Sequence, residues 1–183
     1  MIQVFDDFLS EDEYKEIYSF VMGSHFPWFW NQSHMYDDLS QELRSMPDKD
    51  NQVDYPQFVC GIYMKDDIVD SYLFKLIKPL TSRISHSKLI KIKANLNVKY
   101  DRCDETKYGQ QHTDTREAGA FTAIYYVNDC DGDTVFLNED NTETRVSPKA
   151  NRFVMFPANI YHCGNTPKKS DRRVVINLNW IPL

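Results

Sequence analysis

His112-Thr113-Asp114 sets an imidazole and a carboxylate two residues apart. On an extended strand, residues i and i+2 project to the same side, so the pair is expected to grip one ion. Imidazole nitrogen and carboxylate oxygen suit iron(II) or manganese(II), and a second histidine would complete a two-histidine, one-carboxylate site with open positions. Alone the tripeptide is weak, because five histidines and many acidic residues make a chance match common. His162 changes its weight. It follows the apolar run Phe153-Val154-Met155-Phe156 and precedes Cys163-Gly164-Asn165, which reads as a turn, so it is expected at a strand end. Eleven residues beyond it, Arg173 opens an alternating stretch, and its guanidinium fork can take a carboxylate through two parallel hydrogen bonds. His112, Asp114 and His162 are therefore the expected metal ligands. His25, His34 and His86 lack comparable neighbours and read as surface or incidental residues.

The elements that must hold these groups are legible around them. Ser10-Glu11-Asp12-Glu13 is a capping box at a helix start, followed by Tyr14, Ile17, Tyr18, Val21 and Met22 at helical spacing, with Gly23 as a stop. A second helix is expected from about Asp66 to Lys78, with Val69, Tyr72, Leu73 and Leu76 on one face, before Pro79 interrupts it. From Ile90 to Tyr100 the period changes to two, which predicts a strand with one apolar face. Further strands are expected at Phe121–Asn128, Thr134–Leu137, Arg152–Phe156 and Arg173–Trp180. Turn clusters separate them at Asp129–Asp133 (read as a hairpin turn), Asn138–Asn141 and Asn165–Ser170. Residues 31–54 are polar and weakly periodic, and read as a long loop. Helices first and then many short strands predict helices packed outside a β-sandwich or jelly roll.

Composition sets bounds. The 183 residues, 42% hydrophobic, suit one globular domain (1–183), divided into a helical support region (1–88) and a β-core (89–183). A net charge of -6 argues against nonspecific nucleic-acid binding, which needs Lys and Arg to neutralise phosphates. Cys60, Cys103, Cys130 and Cys163 are widely spaced and form no C-x-x-C pair, which reads as reduced thiols in a cytoplasmic protein. The N-terminus lacks the pattern of a signal peptide, and no stretch approaches the roughly 20 apolar residues that span a bilayer. Neither a phosphate-binding glycine loop nor a dinucleotide fingerprint is present. Asp129-Cys130-Asp131-Gly132-Asp133 resembles a calcium loop only superficially, because Thr134 and Asp140 fall where a glycine and a glutamate are needed.

H-x-D, a distal histidine and an arginine beyond it resemble the signature of iron(II)/2-oxoglutarate-dependent dioxygenases. The resemblance runs from about Ile90 to Trp180 and is closest to the prolyl-4-hydroxylase-like branch, including small phage-type members. It implies a mainly β, α+β chain built on a double-stranded β-helix (jelly roll, cupin-like), with N-terminal helices on the outer face. It also implies iron(II), 2-oxoglutarate as cosubstrate, O2, and hydroxylation of a substrate C–H bond with release of succinate and carbon dioxide. Ile124-Tyr125-Tyr126-Val127-Asn128 is similar to the prolyl-hydroxylase strand whose second tyrosine bonds the distal carboxylate of 2-oxoglutarate, which gives that role to Tyr126. Arg173 takes the cosubstrate arginine's place, and Asn97, by likeness to nucleic-acid-repair members, is a further candidate contact. Val175 stands where many members carry Ser or Thr. Arg172 adjoins Arg173, and strand alternation admits only one of them to the pocket. With Arg173 inward, Val175, Asn177 and Asn179 share its side.

Peptidyl proline is the first expected substrate, with a nucleobase or a free amino acid left open. A non-catalytic cupin-like module binding a metal or small ligand is the alternative from another class. Phe26-Pro27-Trp28-Phe29-Trp30 is expected to plug the core between helix and sheet, with a lid or peptide shelf as the other reading. Oligomeric state is not legible.

Overall fold

The computed structural model describes residues 1–32, 52–53, 55–64, 66–100, 108–138 and 142–183. Most of the polar 31–54 stretch, His34 and Cys103 lie outside the described residues. The chain opens with β1 (Gln3–Phe5) and α1 (Glu11–Val21), then β2 (Phe29–Asn31), β3 (Gln52–Val53), β4 (Gln57–Met64) and β5 (Asp67–Ile68). Two short helices follow, α2 (Ser71–Leu76) and α3 (Lys78–Thr81). The strands β6 (Lys88–Val98), β7 (Tyr108–Gly109), β8 (Phe121–Tyr126) and β9 (Thr134–Leu137) come next. β10 (Glu143–Val146), β11 (Arg152–Pro157), β12 (His162–Gly164) and β13 (Arg172–Ile181) complete the order.

The strands form a large antiparallel sheet in the order β1-β11-β8-β13-β6-β4-β2, with β5 on β4, and a small one in the order β10-β9-β12. This is a double-stranded β-helix. Its two apolar layers follow from strand alternation. Val174, Ile176 and Leu178 of β13 join Ile92 and Ala94 of β6 in the core beneath the helices, where Ile17, Leu73 and Leu80 pack. Val175 faces the other way and packs with Ile124, Tyr126, Phe136, Val154 and Phe156 between the two sheets. The polar row of β6 (Lys91, Lys93, Asn95, Asn97) lies on that inner side, opposite Asn179, Asn177, Val175 and Arg173 of β13. The expected inward and outward faces of β13 are those observed.

The capping box at Ser10 is present, with Ser10 N–H donating to Glu13 Oε2 at 2.9 Å. The expected single helix over Asp66–Lys78 is not. Asp66 adopts φ +61°, turning β4 into a hairpin with β5, and the Asp70 carboxylate accepts from Leu73 N–H at 2.9 Å, starting the helix late. Pro79 does not interrupt that helix but sits in the first turn of α3, where its missing N–H costs nothing. Asp129–Asp133 is not a hairpin turn either. It crosses from β8 in the large sheet to β9 in the small one, and the Asp131 carboxylate caps the N–H groups of Lys168, Lys169 and Ser170 at 2.8–3.1 Å. The aromatic cluster divides: Phe26 is core, whereas Phe29 and Trp30 are exposed on the edge strand β2.

Candidate active site

His112 and His162 are held side by side by their backbones. His112 N–H donates to His162 C=O at 2.9 Å, and His162 N–H donates back at 3.0 Å, an antiparallel bridge between the segment after β7 and β12. H-x-D is thus not on a regular strand as expected. His112 is an isolated bridge residue, and Asp114 sits in a bend. The ring of His162 is walled by Phe156 and Phe136, at centroid distances of 4.7 and 5.9 Å.

Each histidine is also fixed in tautomer. Nδ1 of His112 bonds the Gln110 carbonyl and Nδ1 of His162 the Ile160 carbonyl, both at 3.0 Å. A carbonyl only accepts, so each Nδ1 carries a proton, and in the neutral imidazole each Nε2 presents a lone pair. Ligand atoms of His112, Asp114 and His162 all lie within 4.8 Å of one another, close to the span of one ion and its donors. His162 Nε2 stands 3.5 Å from Asp114 Oδ2, and that buried oxygen has no hydrogen-bond partner among the described residues. A lone-pair nitrogen facing a carboxylate oxygen in a buried site is unfavourable unless a cation lies between them. The donor set therefore fits a metal ion, and its chemistry fits iron(II).

Electrostatics agree with a neutral His112. Burial and the neighbouring His162 push the His112 imidazole down to about 4 against the pull of Asp114, keeping it neutral. Burial would raise the Asp114 carboxyl, and the Lys91 ammonium is among the neighbours that bring it below the usual carboxylate range. Lys91 Nζ donates to the Asp114 carbonyl at 3.2 Å and stands 3.9 Å from its Oδ1.

Arg173 enters the same cavity, 3% exposed, while Arg172 is exposed. Its Nε donates to the Gly132 carbonyl at 2.9 Å, Nη2 to Thr134 Oγ1 at 2.9 Å, and Nη1 reaches Asn97 Oδ1 at 3.5 Å. The Tyr126 hydroxyl lies 2.6 Å from the same Thr134 oxygen, and Arg173 Cζ is 5.6 Å from the Tyr126 ring centre. Burial raises the Tyr126 phenol, opposed by Arg173 and Thr134, so it stays a neutral donor. Two glycines make room here. A Cβ on Gly164 would lie 2.8 Å from Arg173 Nη1, and one on Gly132 would lie 2.5 Å from the Asn165 carbonyl. Asn97, expected to contact the cosubstrate, is fully buried and reaches both Arg173 and Gln57.

Asn95, His112, His162, Arg173, Val175 and Asn177 thus share one small cavity of about 20 Å³. A five-carbon diacid needs more room, so its binding must turn lining side chains. The larger cavity of about 350 Å³ lies on the helix-side face among Phe5, Phe8, Phe153 and Trp180, away from the triad. Sequence reasoning missed Thr134, Gly132, Gly164 and Lys91. Only the inward alternation of Lys91 with Asn95 and Asn97 carried any signal for them.

A family model described as the 2OG-Fe(II) oxygenase superfamily matches residues 98–181. No curated protein matches the chain. Among solved structures, the fold is similar to an oxidoreductase of the 2OG-Fe(II) oxygenase family from Burkholderia pseudomallei, at TM-score 0.65 and 9% identity, covering 98% of this chain and 84% of that one. It is similar to a prolyl hydroxylase from Trichoplax adhaerens, solved with a peptide fragment of the hypoxia inducible factor oxygen degradation domain, at TM-score 0.61 and 14% identity over 98% and 83% of the two chains. The non-heme alpha ketoglutarate dependent epimerase SnoN from nogalamycin biosynthesis matches at TM-score 0.60 and 12% identity over 99% and 78%. Residues 98–181 of this chain thus resemble the 2OG-Fe(II) oxygenase superfamily, whose metal is iron and whose cosubstrate is 2-oxoglutarate.

Proposed function

We propose that the chain, as one domain over residues 1–183, is an iron(II)- and 2-oxoglutarate-dependent hydroxylase of a peptidyl substrate, with proline the residue modified. His112, Asp114 and His162 are the metal ligands in this reading. Arg173 and Tyr126 take the distal carboxylate of 2-oxoglutarate, and Asn97 steadies the Arg173 fork. The observation that carries it is His162 Nε2 facing Asp114 Oδ2 at 3.5 Å, an oxygen with no hydrogen-bond partner among the described residues, beside the cavity that receives Arg173.

Bound iron supplies the oxidative decarboxylation of 2-oxoglutarate by O2, which yields succinate, carbon dioxide and a hydroxylated C–H bond. The protein's part is positional. Backbone bonding of the two histidines fixes both Nε2 atoms, the guanidinium orients the diacid, and Phe136 and Phe156 exclude water beside His162. Retention of Asp114 favours hydroxylation over halogenation, which needs that position open for chloride. The peptide and its proline are supported by likeness of fold to a prolyl hydroxylase and by the Tyr125-Tyr126 strand. Free thiols at Cys60, Cys130 and Cys163 support a cytoplasmic setting.

Succinate release from 2-oxoglutarate, measured with iron(II) across prolyl peptides, free amino acids and oligonucleotides, tests this reading. Stimulation by a prolyl peptide is expected. Stimulation by an amino acid or oligonucleotide instead reassigns the substrate, and no iron-dependent release with any of them leaves the non-catalytic binding module as the better account.

A further inference from the structure

The inner row of β6 carries more positive charge than the site described so far uses. Iron(II), the Asp114 carboxylate, the 2-oxoglutarate dianion and Arg173 balance to zero formal charge. Lys91 and Lys93 are surplus to that balance. Lys91 is tied to Asp114 through its carbonyl at 3.2 Å and its carboxylate at 3.9 Å. Lys93 is different. It stands one inward step from Asn95, opposite Asn177 in the β6–β13 register, and is half-buried. Among the described residues no carboxylate lies within ion-pairing distance of it. Its ammonium is within electrostatic reach of Asp114 and His112.

A second observation comes from the opposite strand. Asn177 is 7% exposed and lines the cavity with His112 and His162, and its Oδ1 has no hydrogen-bond partner among the described residues. Asn179, fully buried and opposite Lys91, donates through Nδ2 to Thr122 at 2.8 Å, and its Oδ1 is likewise unpartnered. Buried polar atoms are nearly always paired, so two acceptors left open on neighbouring rungs, beside a half-buried lysine, mark a place for a ligand. The row is also directional. Arg173 pairs in register with Asn97, and the step to Asn95, Lys93 and Lys91 leads away from that anchor. The cosubstrate's distal carboxylate is accounted for at the Arg173 end, leaving the Lys93 end for the substrate.

We propose that the substrate carries a carboxylate beside the carbon that is hydroxylated, that Lys93 is the specificity residue that pairs with it, and that the Asn177 carbonyl oxygen accepts an N–H of the same molecule. This deepens the hydroxylase reading and rests on it. Desolvation, followed by the adjacent Lys91, pushes the Lys93 ammonium down to about 8, so it is charged at neutral pH and gains from an anionic partner. The carboxylate can belong to an acidic or C-terminal residue of a prolyl peptide or to a free amino acid, and both sources present the same group.

The test is calorimetric titration of the full chain loaded with nickel(II) and 2-oxoglutarate, in which binding is read without turnover. Four probes are compared: L-proline, L-prolinamide, an N-acetylated prolyl peptide amide with aspartate next to proline, and the same peptide with asparagine. At least one carboxylate probe is expected to bind about tenfold or more tightly than its neutral counterpart, as a charge-assisted pair requires. The pair in which the preference appears identifies the source. Lys93→Met should erase the preference and Lys93→Arg should keep most of it, while 2-oxoglutarate affinity moves less than about threefold in either. Equal binding of charged and neutral probes, or binding of none, overturns the proposal. So does a preference that survives Lys93→Met. Loss of 2-oxoglutarate affinity in that variant would reassign the lysine to the cosubstrate. Failure of the wild-type protein to bind 2-oxoglutarate at all would instead count against the hydroxylase reading.

Discussion

Substituting alanine for Gly164 puts a methyl group against the guanidinium proposed to anchor 2-oxoglutarate. The new Cβ would lie 2.8 Å from Arg173 Nη1 and 3.0 Å from both Cζ and Nη2. Carbon contacts are comfortable from about 3.5 Å, so the fork must retreat by roughly half an ångström or more. The backbone cannot yield instead, because Gly164 is paired with Thr134 in the small sheet. Arg173 cannot slide freely either, with Nε bonded to the Gly132 carbonyl and Nη2 to Thr134. Losing one charge-assisted hydrogen bond costs about 1.5–3 kcal/mol, which weakens 2-oxoglutarate binding by about 10- to 150-fold. Calorimetric titration of 2-oxoglutarate into manganese-loaded protein measures it. Metal affinity should be almost unchanged, because the His162 ring and its Nδ1 bond to Ile160 are untouched. Arg172→Leu, at an exposed position, is the matched control and should bind 2-oxoglutarate as wild type does. An alanine variant that binds 2-oxoglutarate within twofold of wild type would refute the placement of the anchor.

Three other perturbations have defined outcomes. His112→Ala should abolish iron-dependent succinate release and stoichiometric metal binding while the circular dichroism spectrum stays that of the folded protein, since the bridge to His162 is made by backbone atoms; an unfolded spectrum would show that the ring is structural. Thr134→Val removes the oxygen that meets both the Tyr126 hydroxyl and Arg173 Nη2, and should lower stability to urea by about 1–3 kcal/mol. An unchanged denaturation midpoint would mean that those groups find other partners. Acid stability should fall between pH about 4 and about 2. The Asp6 carboxyl is held down to about 2 by Arg152, and Asp131 is held there by the Ser170, Lys169 and Lys168 N–H groups against the effect of burial. The folded state therefore binds fewer protons than the unfolded chain in this window, so the stabilisation is complete above it and is lost as pH drops through it. Melting temperature against pH should show a shallower acid decline for Asp131→Asn, and parallel curves would contradict the assignment.

The site was more legible than the scaffold, for physical reasons. The proposed metal ligands and diacid anchor call for particular side chains, so His112, Asp114, His162 and Arg173 stood out by type. Period-two alternation in Ile90–Tyr100 and Arg173–Trp180 fixed the inward faces of two adjacent strands. Two errors came from competing local signals. Leu73 and Leu76 fit one long helix, but the Asp70 cap and the left-handed Asp66 outweighed that periodicity. H-x-D was read as strand because alternation was the simplest way to align two ligands, whereas the structure uses one backbone bridge and a bend. β4 escaped notice because Cys60, Gly61 and Ile62 interrupt its alternation, with a register shift between Gly61 and Tyr63. Thr134 and Gly164 were invisible for another reason. Their importance lies in what they leave room for or hold still around Arg173, and a single sequence carries no mark of that.

The central claim is that one buried triad and one arginine make a joint site for iron and a keto diacid. Anaerobic addition of iron(II) and then 2-oxoglutarate, followed by visible absorption, tests it most directly. Chelation of the metal by the keto acid should give a charge-transfer band at one equivalent of iron, absent in His112→Ala and in iron(II) with buffer alone. Arg173→Leu should require about 30- to 150-fold more 2-oxoglutarate to reach the same absorbance, the equivalent of about 2–3 kcal/mol. Wild-type protein that takes up iron yet gives no band at saturating 2-oxoglutarate would contradict the account.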